Sequence, residues 1–188
     1  EPVAVAIPPD GAQVLVAGAQ SDSIAVFARD AATGAVTLQQ VLYDGVDGVD
    51  GLDLVQALIV SPGGRFVYAA GLADDAIAIF GRDLASGELT YLGQAKNGQP
   101  GFSGLDGVRG LAMTSDGLFL FATSYNDDAV AVFRRDGLSG MLSELQVAKD
   151  GVGGFAGLDG ARALAVAPGG RDIYAVGDSV EVTDTVTG

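Results

Sequence analysis

The chain has 188 residues, of which 24 are acidic and 10 basic, so its formal net charge is −14, and it contains no Cys, His or Trp. The missing residue types exclude disulfides, zinc fingers, cysteine nucleophiles and every catalytic triad or metal site that uses His. The acidic balance argues against a nucleic-acid partner or an anionic membrane surface, and no apolar run approaches the ~18 residues of a membrane span.

The same residue types return every 53 positions along the chain, without an insertion or deletion. The repeated markers are Phe27, Phe80 and Phe133; Arg-Asp at 29–30, 82–83 and 135–136; Gly34, Gly87 and Gly140; Leu-Asp at 52–53, 105–106 and 158–159; and Gly11, Gly64, Gly117 and Gly170. A fixed period of this length is typical of repeat architectures. The sequence therefore predicts about three and a half structural units.

Each unit contains short runs of strand-forming residues separated by Gly, Pro and Asp turns. In the second unit the predicted strands are 57–60, 66–70, 76–80 and 89–92, and a long Gly-rich loop follows them. Four short antiparallel strands in one unit are typical of a β-propeller blade, and the Arg-Asp pair is predicted to begin a structural turn between strands three and four. We predict an all-β fold of about 3.5–4 propeller blades. Blade 1 spans 1–48, blade 2 spans 49–101, blade 3 spans 102–154 and a partial blade 4 spans 155–188. A plain β-sandwich is the alternative, which the strict repetition disfavours.

The two ends of the chain depart from the repeat. The first unit opens directly on a strand, 3–7, with neither an initiator Met nor a leader, as expected of a mature form or a fragment. The fourth unit has predicted strands at 164–167, 173–176 and 180–183, which makes 15 strands in all, and the segment 180–188 resembles strand repeats of bacterial surface proteins. Because an open arc of blades exposes apolar faces, we expect further blades of the same polypeptide, or self-association, to close the ring.

Three segments carry a resemblance to a known family. They are AVAPGGRDIY at 165–174, DDAVAVFRRD at 127–136 and GLDGAR at 157–162. These segments resemble lactonase-type seven-bladed β-propeller proteins, which are related in fold to 6-phosphogluconolactonase. The resemblance extends over the chain blade by blade, and it implies a ring of about seven blades, of which this chain has about half. It also implies hydrolysis of a sugar lactone as one function, but it places no catalytic residue on this sequence.

Most Asp residues are predicted to lie on one face of the propeller, in the loops that join strand two to strand three and strand four to the next blade. They are Asp22, Asp44, Asp47, Asp50, Asp53, Asp74, Asp75, Asp106, Asp127, Asp128, Asp150, Asp159 and Asp178. In the first long loop, Asp44, Asp47, Asp50 and Asp53 follow one another every third residue with Gly between them. Such carboxylates could bind Ca²⁺, which takes 6–8 oxygen ligands. The alternative is that they form Asx turns and cap backbone groups, with no cofactor.

A second candidate site consists of Arg109 and Arg162, which occupy the same repeat position just after Leu-Asp-Gly. Gln56 holds this position in the second unit. All three are predicted at the start of an innermost strand, near the channel mouth, with Asp106 and Asp159 beside the arginines. The arginines either form salt bridges that tie the loop to the strand or bind the carboxylate or phosphate group of a ligand.

Three function classes are compatible with these features. Our main expectation is a non-catalytic secreted or surface β-propeller that serves as a scaffold, binding or assembly module for a protein or carbohydrate ligand. The absence of His and the last segment of the chain favour it. The alternatives are a lactonase-like hydrolase of sugar lactones and a calcium-dependent adhesion module. The composition favours an extracellular, cell-surface or periplasmic location, with no nucleic-acid partner and no membrane span.

Overall fold

The computed structural model describes residues 1–178, which form a series of antiparallel β-sheets. The first sheet contains β1 (Pro2–Ala6), β2 (Gln13–Gly18), β3 (Ser23–Arg29) and β4 (Val36–Tyr43). The second contains β5 (Val55–Val60), β6 (Phe66–Gly71), β7 (Ala76–Arg82) and β8 (Leu89–Lys96). The third contains β9 (Val108–Met113), β10 (Phe119–Ser124), β11 (Ala129–Arg135) and β12 (Leu142–Lys149). The last is a two-stranded sheet of β13 (Ala163–Val166) and β14 (Ile173–Val176), and one 3-10 turn, Ala19–Ser21, joins β2 to β3.

Each four-stranded sheet pairs its strands in chain order, which is the meander of a propeller blade. The predicted all-β fold of propeller blades is confirmed. Fourteen strands lie within residues 1–178. The predicted strand at 180–183, and the segment 180–188 that resembles surface-protein repeats, lie outside the described residues. Each predicted blade range contains one sheet, while the boundaries of the ranges stay a prediction.

The 53-residue repeat extends to the irregularities of the sheets. The pairing of strand three with strand four shifts its register at Phe27 in the first blade, at Phe80 in the second and at Phe133 in the third. A bulge of this kind bends the strand and increases its local twist. The repeated Phe therefore marks the point where each blade curves its outer edge.

Neighbouring blades pack face to face through fully buried apolar side chains. Between the first and second blades, Leu15, Ile24 and Val26 belong to the same core cluster as Val67 and Phe80. Burying a side chain of this size contributes about 1.5–3 kcal/mol to stability. Since the cluster contains residues of two sheets, packing between blades stabilises the arc.

The Arg-Asp marker forms the turn between strands three and four, as predicted. The carboxylate of Asp83 accepts the backbone N–H groups two and three residues further on, and Gly87 donates to the Asp83 carbonyl with a φ of +79°. The same bonds recur around Asp30 and Asp136. These backbone donors hold the pKa of each of the three carboxyls below its usual value. The Arg-Asp pair therefore has a structural role in the turn.

Both ends of the arc expose sheet surface. Val5 of β1 is 64% exposed and Val176 of β14 is 53% exposed. Open sheets of this kind fit completion of the propeller by further blades. Within residues 1–178, no helix has the length and apolar character needed to cross a membrane.

Candidate functional site

The Asp-rich loops of successive blades are joined on one face of the arc, as the sequence predicts. Asp75, in the loop between β6 and β7, accepts the N–H of Gly107 at the start of the third blade over 2.8 Å. The equivalent contacts, both 2.9 Å, are Asp22 with Leu54 and Asp128 with Gly160. All three Asp residues have φ between +46° and +54°, a left-handed conformation that Asp tolerates better than most residues. These carboxylates therefore fasten each blade to the next.

The first carboxylate of the long loops has an internal structural role. Asp44 Oδ1 accepts the N–H of Leu52 over 2.9 Å, and Asp150 accepts the N–H of Leu158 at the same distance. In the second blade Asn97 replaces the Asp and its amide oxygen accepts the N–H of Leu105. Because an uncharged amide makes the same contact, this position requires a hydrogen-bond acceptor and not a charge.

Three carboxylates converge near the channel-side loop between the first two blades. Oxygens of Asp44, Asp50 and Asp74 lie within 4.8 Å of one another. Two of them belong to the predicted calcium loop, and Asp74 comes from the loop between β6 and β7. Asp47 and Asp53, which were also predicted as ligands, are not members of this cluster. The structure thus assembles a different set of acidic groups from the one that the spacing indicates.

A lysine and a glutamine already contact this cluster. The ammonium of Lys96 lies 3.3 Å from Asp74 Oδ1 and 3.9 Å from Asp50 Oδ1. Gln94 Nε2 donates to Asp50 over 2.8 Å. Burial raises the pKa of Asp44, and repulsion from Asp74 and Asp50 raises it further, whereas the hydrogen bond from the Leu52 N–H lowers it. The cluster is therefore crowded with negative charge that one lysine partly neutralises.

The two candidate arginines come together on the same face. The guanidinium carbon of Arg109 lies 4.8 Å from the ring centroid of Tyr125, and that of Arg162 lies 5.0 Å from it. Cations at this distance are attracted to the face of an aromatic ring. The sequence relates the two arginines through their equal repeat positions, and the structure adds the tyrosine that both of them contact.

The two arginines differ in their partners. Arg162 donates to Asp178 through Nε over 2.6 Å and through Nη2 over 3.0 Å, and the hydroxyl of Tyr125 donates to the same carboxylate over 3.0 Å. The Arg162 bond holds the pKa of Asp178 below its usual value. Arg109, by contrast, has a buried Nε with no hydrogen-bond partner within the described part of the chain. Of the pair, Arg109 is the one that forms no ion pair with the carboxylates of residues 1–178.

Gln56, the third member of this repeat position, does not share these contacts. Its side-chain amide donates to the carbonyl of Leu54 two residues earlier over 3.0 Å. Where the third blade has Tyr125, the second has Leu72, which offers an arginine neither a ring face nor a hydroxyl. The departure from the repeat at these positions is the signal that could have identified Tyr125 in advance.

Solved structures share this fold. A protein from Lactobacillus plantarum is 23% identical, with a TM-score of 0.77, over 96% of this chain and 49% of its own. A candidate 6-phosphogluconolactonase from Bacteroides uniformis is 18% identical, with a TM-score of 0.75, over 93% of this chain and 47% of its own. The periplasmic gluconolactonase of Pseudomonas aeruginosa is 20% identical, with a TM-score of 0.54, over 93% of this chain and 62% of its own. The chain thus spans about half the length of the first two.

Comparison of the sequence with protein families gives a more specific result. No curated protein matches the chain significantly. The model of the family described as lactonase, 7-bladed beta-propeller, matches residues 38–155, which cover the second and third blades completely. That segment contains Arg109, Tyr125 and the acidic cluster. The chain belongs to the lactonase family of seven-bladed β-propellers.

Proposed function

We propose that the chain supplies the anion-binding side of a lactonase-type site, which binds the phosphate group of a sugar lactone, or the carboxylate of its acid product, through Arg109 with Arg162 beside it. The observation that carries the proposal is the pair of guanidinium groups around Tyr125, with Arg109 Nε buried and without a partner among residues 1–178. A buried donor that lacks a partner costs about 1–3 kcal/mol, so a movement of the Arg109 side chain that brings this N–H to an anionic ligand would be favourable.

The charge distribution supports Arg109 as the principal contact. Asp178 already neutralises Arg162 through two hydrogen bonds, so this pair has little net charge. Arg109 stands on a face that is otherwise rich in carboxylates, where an anion needs a local cation to overcome repulsion. The planar guanidinium group also offers paired donors that match a carboxylate or a phosphate.

The proposal concerns binding of the substrate and assigns no catalytic base. Hydrolysis of a lactone requires a group that activates water and a donor for the developing oxyanion. Arg109 and Arg162 can hold an anion but cannot accept a proton. Because the chain spans about half the length of related structures, we place the remaining groups of the complete site on the blades that complete the ring.

The comparisons support a lactonase-type function more than the alternatives. The family model and two of the similar structures carry lactonase names, and no comparison supports the non-catalytic scaffold that was our main expectation. Among residues 1–178, calcium-dependent adhesion has only the Asp44, Asp50 and Asp74 cluster in its favour. Lys96 lies among these carboxylates, so calcium binding stays a prediction, as does a location outside the cytoplasm.

Binding of 6-phosphogluconate, gluconate and glucose to the chain, followed by calorimetry, tests the proposal. We expect the two anions to bind and neutral glucose not to bind. Arg109→Ala should weaken anion binding at least about tenfold, since a hydrogen bond to a charged group is worth about 1.5–3 kcal/mol. Arg134→Ala removes an exposed arginine of β11 and serves as the matched control. Equal affinity in both variants, or no binding of either anion to the parent chain, would overturn the proposal.

A further inference from the structure

The fourth blade exposes a surface that the earlier blades use to bind their neighbours. In the repeat register, Ala163, Ala165, Tyr174 and Val176 correspond to Ala57, Ile59, Tyr68 and Ala70. The four residues of the second blade pack against the third blade. Their counterparts in the fourth blade are exposed, and Tyr174 retains 49% of its accessible surface. The surface of the fourth blade is therefore an inter-blade surface without its neighbour.

Tyr68 shows what such a tyrosine does when the neighbour is present. It is fully buried, and its hydroxyl donates over 2.7 Å to the carbonyl of Gly140, in the turn between strands three and four of the following blade. Tyr174 occupies the same register position on β14, paired with Ala165 as Tyr68 is paired with Ile59. It therefore presents an equivalent hydroxyl to whatever blade comes next.

The first blade exposes the complementary surface. The exposed or partly exposed residues of this surface are Val5, Ile7, Val16, Ala25, Phe27 and Leu38. They correspond to Leu58, Val60, Ala69, Ala78, Phe80 and Tyr91, which pack against the first blade from the second. Val5, Ile7 and Leu38 are each more than half exposed. The exposed surface of the first blade is thus equivalent to the surface of the second blade that packs against the first.

The glycine of the turn between strands three and four also lacks a neighbouring blade in the first unit. Added side-chain atoms at Gly87 and Gly140 would meet Gln13 and Phe66 of the preceding blade, whereas at Gly34 nothing lies within 4 Å. The Gly34 turn has the same form as the other two, with φ of +75° and a hydrogen bond from Gly34 N–H to Asp30. One molecule therefore contains both halves of the Tyr–Gly contact, unpaired and at opposite ends.

We propose that two copies of this chain associate head to tail, with the fourth blade of one against the first blade of the other, and with the Tyr174 hydroxyl donating to the Gly34 carbonyl of the second copy. The contact repeats the packing that already joins the second blade to the third. Since the chain covers 47% and 49% of two related propellers, two copies supply about the length of one such chain. A head-to-tail contact of this kind closes into a ring or continues as a filament.

Sedimentation velocity over a range of concentrations tests the association and the role of Tyr174. We expect the parent chain to form dimers or larger species. Tyr174→Phe, which loses only the hydroxyl, should raise the dissociation constant about fivefold, and Tyr174→Asp should leave monomers only. Leu138→Asp changes a 90% exposed side chain away from both open surfaces and should associate like the parent chain. A monomer at every concentration, as would follow if each chain completes its ring with blades of its own, overturns the proposal.

Chemical cross-linking tests the head-to-tail arrangement itself. The chain has no Cys, so Ala35→Cys, beside Gly34, and Asp172→Cys, in the register of Phe66, each introduce a single reactive thiol. We expect a flexible bismaleimide to link the two variants when they are mixed and neither variant to link with itself. Self-linking of either variant, with no product specific to the mixture, would indicate a two-fold contact between like surfaces and would refute the proposed arrangement.

Discussion

Tyr68 and Gly140 are joined across the interface between the second and third blades, where the fully buried phenol hydroxyl donates to a backbone carbonyl over 2.7 Å. Burial raises the pKa of Tyr68 to about 12. The hydroxyl therefore remains protonated in the folded protein well above the pH at which an exposed tyrosine ionises. The two residues stand 72 positions apart in the sequence, so the bond stabilises the contact between blades and not a local turn.

We predict that Tyr68→Phe lowers the free energy of unfolding by about 1–2 kcal/mol, because the Gly140 carbonyl loses its partner at a buried position. The pKa of Tyr68 is raised on folding, so its contribution is complete below pH 10 and is lost as the pH rises toward 12. Urea unfolding at pH 7 and between pH 10 and 12 measures both effects. A variant as stable as the parent at pH 7, and equally sensitive to alkali, would contradict the prediction.

Gly34 and Gly140 provide a matched pair for the cost of a side chain in the repeated turn. Their φ angles are +75° and +77°, so Ala at either position is strained by about 1 kcal/mol. At Gly140 the new Cβ would also overlap the ring of Phe66, which adds about 1–3 kcal/mol, whereas at Gly34 nothing lies within 4 Å. We predict that Gly140→Ala destabilises the chain clearly more than Gly34→Ala when both are measured at a concentration at which the chain is monomeric. Equal unfolding free energies for the two variants in urea would show that the interface relaxes without cost.

Much of the fold follows from the sequence because its turn chemistry repeats. Asp83 and Gly87 form the turn between strands three and four, and their equivalents do the same in the other blades. The fixed spacing of these residues indicates the turn without knowledge of the tertiary contacts. The repeat also relates Arg109 to Arg162, since equal register positions lie at the starts of adjacent inner strands. Tyr125 is different, because its contact with both arginines depends on how two blades pack. The spacing within one segment does not show such a contact, and the sequence points to it only through the change from Leu72 to Tyr125 at one repeat position.

The acidic cluster was predicted incompletely for a similar reason. The interval of three residues in the first long loop suggests that its four Asp residues act together, yet the loop turns at positive φ at Asp47. Asp74 then completes the cluster from a different loop. Lys96 also belongs to this site, at a position where the first blade has Tyr43. Proximity in the sequence therefore indicates two of the three carboxylates, and the loop between β6 and β7 supplies the third.

We predict that Asp44→Asn stabilises the protein slightly at pH 7, by about 0.5 kcal/mol, whereas Asp44→Ala destabilises it by about 1 kcal/mol. The amide keeps an acceptor for the Leu52 N–H, as Asn97 does for Leu105, and it removes a partly buried charge among other carboxylates. Folding raises the pKa of Asp44, so the ionised carboxylate destabilises the folded protein. This cost is present where Asp44 is ionised and is lost where the carboxyl is protonated in both the folded and the unfolded chain. The advantage of Asn should therefore disappear as the pH falls below about 4.

Thermal unfolding of both variants from pH 3 to pH 7 measures this difference. Each variant is compared with the parent chain at the same pH. Other carboxyls, such as Asp10 and Asp116, have lowered pKa values, so their protonation in acid destabilises the folded protein in all samples. An Asn variant that is less stable than the parent at pH 7 would show that the charge of Asp44 itself is favourable. That result would in turn favour a bound cation at the cluster.

We predict that Lys96→Gln increases the stabilisation that Ca²⁺ gives to the chain. The Lys96 ammonium lies beside Asp74 and Asp50, where it competes with a cation for the same oxygens. A ligand that binds only the folded state stabilises it by about 2.7 kcal/mol at a hundredfold excess over its Kd. The Tm should rise with millimolar Ca²⁺ beyond the effect of NaCl at matched ionic strength. Adding Asp50→Asn to the same variant should cancel the gain, and an equal response to both salts would indicate only screening of the acidic face.

The last prediction concerns catalysis by the chain. We expect the 188-residue chain to hydrolyse a sugar lactone at the spontaneous rate, even if it binds the acid product through Arg109. The sequence has no His to act as a general base, and the arginines near Tyr125 cannot take a proton. The Arg162 side chain is 47% exposed, so its electrostatic effect on a developing oxyanion is weakened by water.

The assay compares lactone hydrolysis in buffer, with the parent chain and with an Arg109→Ala, Arg162→Ala double variant. General acid–base catalysis contributes about a hundred- to ten-thousandfold, so a working active site would be unmistakable. Equal rates in all three samples, together with anion binding that depends on Arg109, would place substrate recognition on this chain and the proton-transferring groups on further blades. An acceleration of about a thousandfold that the double variant abolishes would instead place a complete active site within these residues, and one of the carboxylates around Tyr125 would then have to serve as the base.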